Sequence, residues 1–117
     1  MMISSLWVPY YREDDGELLG YLVPAGELFV PVTVFGYELG DAVDEYDASQ
    51  VLENIGLSYL ADTWMLSIAG RDEPINVHIV EASPQSLKVK SVDYGWEQDY
   101  GTIIELSVPE SGRLRRR

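Results

Sequence analysis

Alternating apolar positions make residues 28–35 the strongest strand signal in the chain. In an extended segment, one face would carry Leu28, Val30, Val32 and Val34 and the other Phe29, Pro31, Thr33 and Phe35. Apolar side chains on both faces predict a strand that is covered on both sides. Pro31 cannot donate a ladder hydrogen bond, so we expect a bulge or an edge position there.

Two segments before this strand predict an antiparallel hairpin, at residues 6–12 and 17–23. The loop between them consists of three acidic residues and a glycine, which can adopt positive φ in a tight turn. A four-residue loop sets Arg12 opposite Glu17 and Tyr10 opposite Leu19. A two-residue turn would instead place like charges across the ladder, so we prefer the longer loop.

One short helix is predicted at about residues 48–55, where three aliphatic side chains share a face at helical spacing. Asp47 stands where an N-cap would accept hydrogen bonds from the amides of the first turn. Gly56 can adopt the backbone conformation that ends a helix. Residues 57–62 predict one further helical turn.

The second half of the chain predicts four more strands, at residues 63–69, 75–81, 87–92 and 102–108. In the middle hairpin we predict Glu81 opposite Leu87, because this pairing keeps the aliphatic side chains of both strands on one face. The alternative, Glu81 opposite Lys88, gains a surface ion pair worth at most about 1 kcal/mol.

These elements predict a single α+β domain, mainly antiparallel β. We expect about seven strands in a barrel-like or sandwich sheet, with one short helix inserted midway.

Charge adds a surface property to this fold. The chain has 20 acidic and 8 basic residues, a formal net charge of −12, and half of the basic residues are Arg113, Arg115, Arg116 and Arg117. We predict a compact acidic β-rich domain over residues 1–112 and a basic, disordered tail over residues 113–117. The acidic body is expected to repel nucleic acid and to attract basic partners.

Cysteine is absent from the sequence, which excludes disulfides, thiolate zinc sites and cysteine nucleophiles. The residues before Arg12 lack the basic and apolar regions of a signal peptide, and no apolar run is long enough to span a bilayer. The sequence therefore predicts a cytoplasmic protein that does not associate with a membrane.

Side chains for catalysis are sparse, and the common nucleotide, metal and nucleophile motifs are absent. We interpret His78, within a strand pattern, as a structural or surface residue rather than a general base. Asp41, Asp44, Glu45 and Asp47 lack the spacing of a calcium loop. Their interaction with the positive end of the helix is favoured over weak divalent-cation binding. We predict no cofactor, no metal site and no enzymatic activity.

The most distinctive segment is residues 94–101, where large aromatic residues alternate with acids between glycines. Its candidate partner-binding residues are Tyr94, Trp96, Glu97, Asp99 and Tyr100. Trp and Tyr provide large contact area at little entropic cost. Two interpretations stay open: Trp96 faces solvent as the anchor of an interface, or it folds back over the end of the core.

The preferred function is a small, non-enzymatic cytosolic accessory or adaptor protein that binds another protein through an acidic, aromatic-bearing surface. One alternative is an inhibitor that mimics nucleic acid and occupies the basic cleft of a DNA- or RNA-binding protein. Another is a small-ligand binder, or an enzyme whose carboxylates converge from separate strands.

Overall fold

Two antiparallel sheets and one α-helix make up the fold that the computed structural model describes for residues 4–93, 101–110 and 112–116. The first sheet contains, in chain order, β1 (Val8–Tyr11), β2 (Leu18–Ala25) and β3 (Leu28–Val32). The second has the order β7-β6-β5-β4-β8, formed by β4 (Thr63–Leu66), β5 (Ile75–Ala82), β6 (Leu87–Ser91), β7 (Ile103–Leu106) and β8 (Leu114–Arg116).

The helix α1 (Glu45–Ile55) and a 3-10 turn (Ser58–Ala61) connect the two sheets. The predicted fold class, α+β with mainly antiparallel strands and one helix, is confirmed, and the predicted turn at 57–62 is present. Within the described residues neither sheet closes into a barrel. No helix among them is long and apolar enough to cross a membrane.

A bulge in β2 changes the register of the first hairpin. Next to the turn the predicted pairing holds, because the Arg12 N–H donates to the Glu17 carbonyl at 2.7 Å. Beyond the bulge, Tyr10 lies opposite Gly20 instead of Leu19, so the prediction is wrong there. Leu19 is the extra residue, and its side chain is fully buried in the cluster beneath α1. The bulge thus turns an additional leucine toward the helix.

The strand β3 ends three residues before the predicted strand 28–35 does. Pro31 lies on this outer strand, as expected for a residue without an N–H. The segment that follows folds back along the free edge: Phe29 and Val43 exchange two backbone hydrogen bonds, of 2.7 and 2.9 Å, and the Leu39 N–H donates to the Pro31 carbonyl at 2.8 Å. The edge of β3 is therefore covered by its own connection.

The helix begins three residues earlier than predicted, and Asp47 is not its N-cap. Asp44 has the extended backbone of a cap, and its Oδ1 accepts a hydrogen bond from the Asp47 N–H at 2.7 Å. Either aspartate can serve as a cap, and starting at Asp44 adds almost a full turn of helical hydrogen bonds. The predicted end is confirmed, because Gly56 has φ 57° and donates to the Leu52 carbonyl.

The β5–β6 hairpin follows the predicted register in its buried part, where Ile79 lies opposite Val89. One residue later the ladder shifts, and Glu81 lies opposite Lys88 rather than Leu87, so the prediction is wrong at that end. The bulge keeps Ile79 and Val89 paired on the aliphatic face, and beyond it the Glu81 carboxylate accepts a hydrogen bond from the Ser86 hydroxyl.

Residues 113–117 are not a disordered tail where the structure describes them. Leu114–Arg116 form β8, which pairs with β4 and places Leu114 opposite Leu66. Leu114 is 1% exposed, and Arg116 forms an ion pair of 2.9 Å with Asp62. A leucine between arginines matches a strand with one buried face, which the clustering of positive charge had obscured.

Two hydrophobic clusters stabilise the molecule. The larger lies on the second sheet, where the Trp64 indole N–H donates to the Tyr59 carbonyl at 2.9 Å and Phe35 packs edge-on against both rings. Burial raises the pKa of Tyr59 to about 12. The smaller joins α1 to the first sheet through Leu19, Leu22, Ala48 and Leu52.

Candidate functional site

The residues predicted to bind a partner lie outside the described part of the chain. Tyr94, Trp96, Glu97, Asp99 and Tyr100 fall between the described ranges that end at residue 93 and begin at residue 101. Whether Trp96 faces solvent or the core therefore stays a prediction. Two other surfaces, both built around β1, carry binding chemistry.

His78 lies on an exposed position of β5, opposite Thr63 of β4. Its Nε2 atom is 3.2 Å from the Thr63 hydroxyl oxygen. On the other side of β5, Lys90 of β6 lies opposite His78. This arrangement is a cross-strand hydrogen bond on a sheet surface. Among the described residues there is no group of three or more His, Asp or Glu side chains that could hold a metal ion.

The acidic residues clustered over positions 41–47 lie at or just before the start of α1. Asp44 caps it, and Glu45 and Asp47 lie in its first turn. Acids at this end stabilise a helix by typically about 0.3–1 kcal/mol. Asp41 lies farther upstream and is exposed.

Negative charge is concentrated in the half of the chain that forms the first sheet and α1. Residues 1–57, called here the acidic half, carry eleven acidic residues and one basic residue, a formal net charge of −10. Residues 58–117 carry nine acidic and seven basic residues, a net charge of −2. Arg12, the one basic residue of the acidic half, is engaged by Asp15 at 3.1 Å. The negative potential is therefore strongest over the first sheet and α1.

A cavity of about 380 Å³ opens on the acidic half between β1 and the start of α1. This tyrosine–glutamate pocket is lined by Tyr10, Glu13, Glu45, Tyr46, Ser49 and Gln50. Tyr46 is 70% exposed, although large aromatic rings are usually buried. The pocket therefore presents an aromatic ring and two carboxylates to solvent.

Glu53 fixes the position of Tyr10 at this pocket. Its Oε1 accepts a hydrogen bond from the Tyr10 hydroxyl at 3.0 Å and a longer one from the Glu13 N–H at 3.5 Å. Burial raises the pKa of Tyr10, and the hydrogen bond and charge of Glu53 raise it further. Tyr10 thus stays protonated at neutral pH and keeps donating to Glu53, which leaves Glu13, Glu45 and Tyr46 to meet a ligand.

The chemistry of the pocket suits a cation. Carboxylates form charge-assisted hydrogen bonds with ammonium and guanidinium groups, and the face of an aromatic ring attracts the same groups. Sequence reasoning missed this site because Tyr10 and Glu53 are 43 positions apart and meet only when α1 packs on the first sheet. The available signal was Tyr46, an aromatic residue within a run of acids.

An aromatic–proline groove of about 310 Å³ lies on the other face of β1. Trp7, Pro9 and Tyr11 alternate along the chain and project to this face, while Tyr21 of β2 lies directly opposite Pro9. The Trp7 and Tyr21 rings meet edge to face with centroids 6.0 Å apart. The rest of the lining is Ser4, Ser5, Pro84 and Gln85. The groove therefore runs between the first sheet and the β5–β6 turn.

A third cavity, of about 470 Å³, lies beside β8 and is lined in part by Glu38, Glu110 and Arg115. Here Glu110 has a structural role, because its Oε1 accepts hydrogen bonds from the Gly112 and Leu114 N–H groups at 2.8 and 2.9 Å. The tyrosine–glutamate pocket and the aromatic–proline groove both present aromatic side chains to a ligand. Comparison with known proteins gives no match to a family model, to a curated protein or to a solved structure.

Proposed function

We propose that the protein is a non-enzymatic cytoplasmic accessory or adaptor protein that binds a basic segment of another protein on its acidic half. The observation that carries this proposal is the tyrosine–glutamate pocket, where Glu13 and Glu45 flank the exposed ring of Tyr46. An arginine or lysine side chain of the partner would enter this pocket. A cytoplasmic location is compatible with the cysteine-free sequence, because a chain without disulfides does not need an oxidising compartment.

The negative charge would increase the association rate with the partner more than the affinity. A field of one sign over the acidic half raises the association rate of a basic partner. Each exposed ion pair contributes only about 0–1 kcal/mol, because solvent and salt screen it. Useful affinity therefore requires several basic residues in the partner, with one of them anchored in the pocket.

Arginine fits that anchor position better than lysine. Its planar guanidinium can stack on the Tyr46 ring and donate two parallel hydrogen bonds to a carboxylate such as Glu45. A lysine ammonium can make the ion pair but lacks the planar stacking surface. The proposal therefore includes a preference for arginine-containing segments.

The test uses a synthetic peptide of about ten residues in which four arginines alternate with serines, titrated calorimetrically at low and at high NaCl concentration. We expect binding at low salt that weakens as the charges are screened. Glu45→Gln and Tyr46→Ala should each weaken binding by about two- to fivefold, equivalent to about 0.5–1 kcal/mol. A peptide with lysine in place of arginine should bind more weakly.

Glu27→Gln is the matched control, because it removes the same charge at the exposed turn between β2 and β3, at the far end of the sheet from Glu13. Its effect should be smaller than that of Glu45→Gln. Equal effects of the two substitutions would mean that the peptide responds to net charge and not to the pocket. Absence of binding at low salt would refute the proposal.

A further inference from the structure

We infer that the aromatic–proline groove binds an extended, proline-rich segment of a partner protein that carries basic residues beside its prolines. The site is distinct from the tyrosine–glutamate pocket, because Trp7, Pro9 and Tyr11 project from the face of β1 opposite to Tyr10. The inference therefore adds a second binding site to the proposed function and does not depend on it.

The groove has the dimensions and surface of a polyproline II site. From Trp7 to Tyr11 the extended chain spans about 13 Å, at roughly 3.3 Å per residue. A polyproline II helix rises about 3.1 Å per residue, so about four of its residues would lie along the groove. Aromatic rings lining a groove of this kind contact proline rings closely. A proline-rich segment also loses little conformational entropy on binding, since it is already extended.

Polar groups along the groove complement the backbone of such a ligand. A polyproline II helix has no internal hydrogen bonds and presents its carbonyl groups outward. The Tyr11 hydroxyl and the Gln85 side-chain amide can donate to these carbonyls from opposite walls of the groove. Tyr11 is 53% exposed and Gln85 is exposed, so both donors are accessible. Hydrogen-bond donors thus accompany the apolar surface.

Charge complementarity selects a basic ligand. Beyond the Tyr11 end of the groove the chain enters the β1–β2 turn, where Glu13 and Asp14 are exposed and Asp15 engages Arg12. The surrounding acidic half carries a formal net charge of −10 over residues 1–57. Arginines that follow the prolines would reach these carboxylates, whereas an acidic proline-rich segment would be repelled.

The probe is a fluorescein-labelled synthetic peptide of about ten residues, a run of prolines with two arginines at one end. It is prepared in both orientations, and binding to the full chain is followed by fluorescence anisotropy. We expect saturable binding. Replacing the prolines by glycine, with the arginines kept, should weaken binding at least about tenfold. Replacing the arginines by aspartate should abolish it.

Three protein variants locate the site. Tyr11→Ala should weaken binding at least about tenfold, and its exposed position makes retention of the fold expected, which circular dichroism checks. Leu6→Ala is the matched control, since Leu6 is 77% exposed, next to Trp7 and outside the groove lining. It should bind as the wild type does. Tyr46→Ala should also bind normally, because that residue belongs to the other pocket.

Three results would overturn the inference. The first is equal binding of the proline and glycine peptides, which would reduce the interaction to charge. The second is undiminished binding by Tyr11→Ala. The third is loss of binding in Tyr46→Ala but not in Tyr11→Ala, which would assign the peptide to the tyrosine–glutamate pocket and support the proposed function instead.

Discussion

At the scale of single residues, one hydrogen bond sets where α1 begins. Asp44 accepts from the Asp47 N–H at 2.7 Å, while the Asp47 side chain contributes only as an acid in the first turn. Asp44→Ala should therefore lower the free energy of unfolding by about 1 kcal/mol. Asp47→Ala should lower it by only a few tenths of a kcal/mol. Urea titration followed by circular dichroism compares the two variants. A larger loss of unfolding free energy for Asp47→Ala would show that Asp47 is the N-cap.

Asp15 gives the β1–β2 turn a pH-dependent contribution to stability. Its Oδ1 accepts from the Glu17 N–H and from Arg12 Nε, both at 3.1 Å. The bond from Glu17 is the larger cause of a pKa below the ordinary value of 3.8, and the Arg12 charge adds to it. Because the folded pKa is lowered, the stabilisation is present above the unfolded value and is lost as pH falls through the folded one.

Asp15→Asn should therefore destabilise the protein at pH 7, and the difference from wild type should vanish as the pH falls below 3.8 through the lowered pKa. Urea midpoints measured from pH 7 to acid pH test this. Asp14→Asn removes a charge from the same turn and should have the smaller effect at pH 7. A difference for Asp15→Asn that persists unchanged in acid would contradict the assignment.

At the scale of elements, sequence patterns located most strands but not their registers. Alternation, proline and glycine mark where a chain can extend and turn, and these are local properties. The bulges at Leu19 and after Ile79 instead depend on which side chains the complete fold buries, and this is not a local property of the sequence. Likewise, Asp44 and Asp47 both fit the residue preference for an N-cap. Asp44 is the cap because the helix in the folded protein begins at Glu45.

The strand β8 was missed for a different reason. Its arginines indicated a solvated terminus, whereas a single leucine determines its position in the sheet. Leu114 is 1% exposed, so Leu114→Ala should cost about 2–5 kcal/mol of unfolding free energy. Arg115→Ala, on the exposed face of the same strand, should change it by less than about 0.5 kcal/mol. Similar urea midpoints for the two variants would show that β8 contributes no stability.

At the scale of the whole molecule, the uneven distribution of charge should make stability depend on salt. The eleven acids of residues 1–57 repel one another with one basic residue among them. Raising NaCl from about 0.02 to about 0.5 M shortens the screening length severalfold and should raise the thermal midpoint. A gain of about 1 kcal/mol would appear as about 4 °C for a domain of this size.

Glu13→Gln combined with Glu27→Gln should raise the midpoint at low salt and reduce the response to salt, because both charges lie within the acidic half and neither belongs to the helix. Differential scanning calorimetry measures both effects. A midpoint that falls with added NaCl would mean that ion pairs such as Arg116–Asp62 outweigh the repulsion. The concentration of acids in residues 1–57 was readable from the sequence, but the two binding surfaces were not, because they depend on which face of β1 each aromatic residue takes.

The pairing of β8 with β4 has a kinetic consequence. The strands of the first sheet pair with their chain neighbours, as do β5 and β6, so those ladders close over short loops. Leu114 instead pairs with Leu66, across an intervening chain of about two fifths of the protein. Closing so long a loop costs more entropy, so β8 should dock after the hairpins have formed.

Because β8 is three residues long and lies at a sheet edge, it should also detach first in the native state. The β4 amides that face β8 should therefore exchange with solvent before those that face β5.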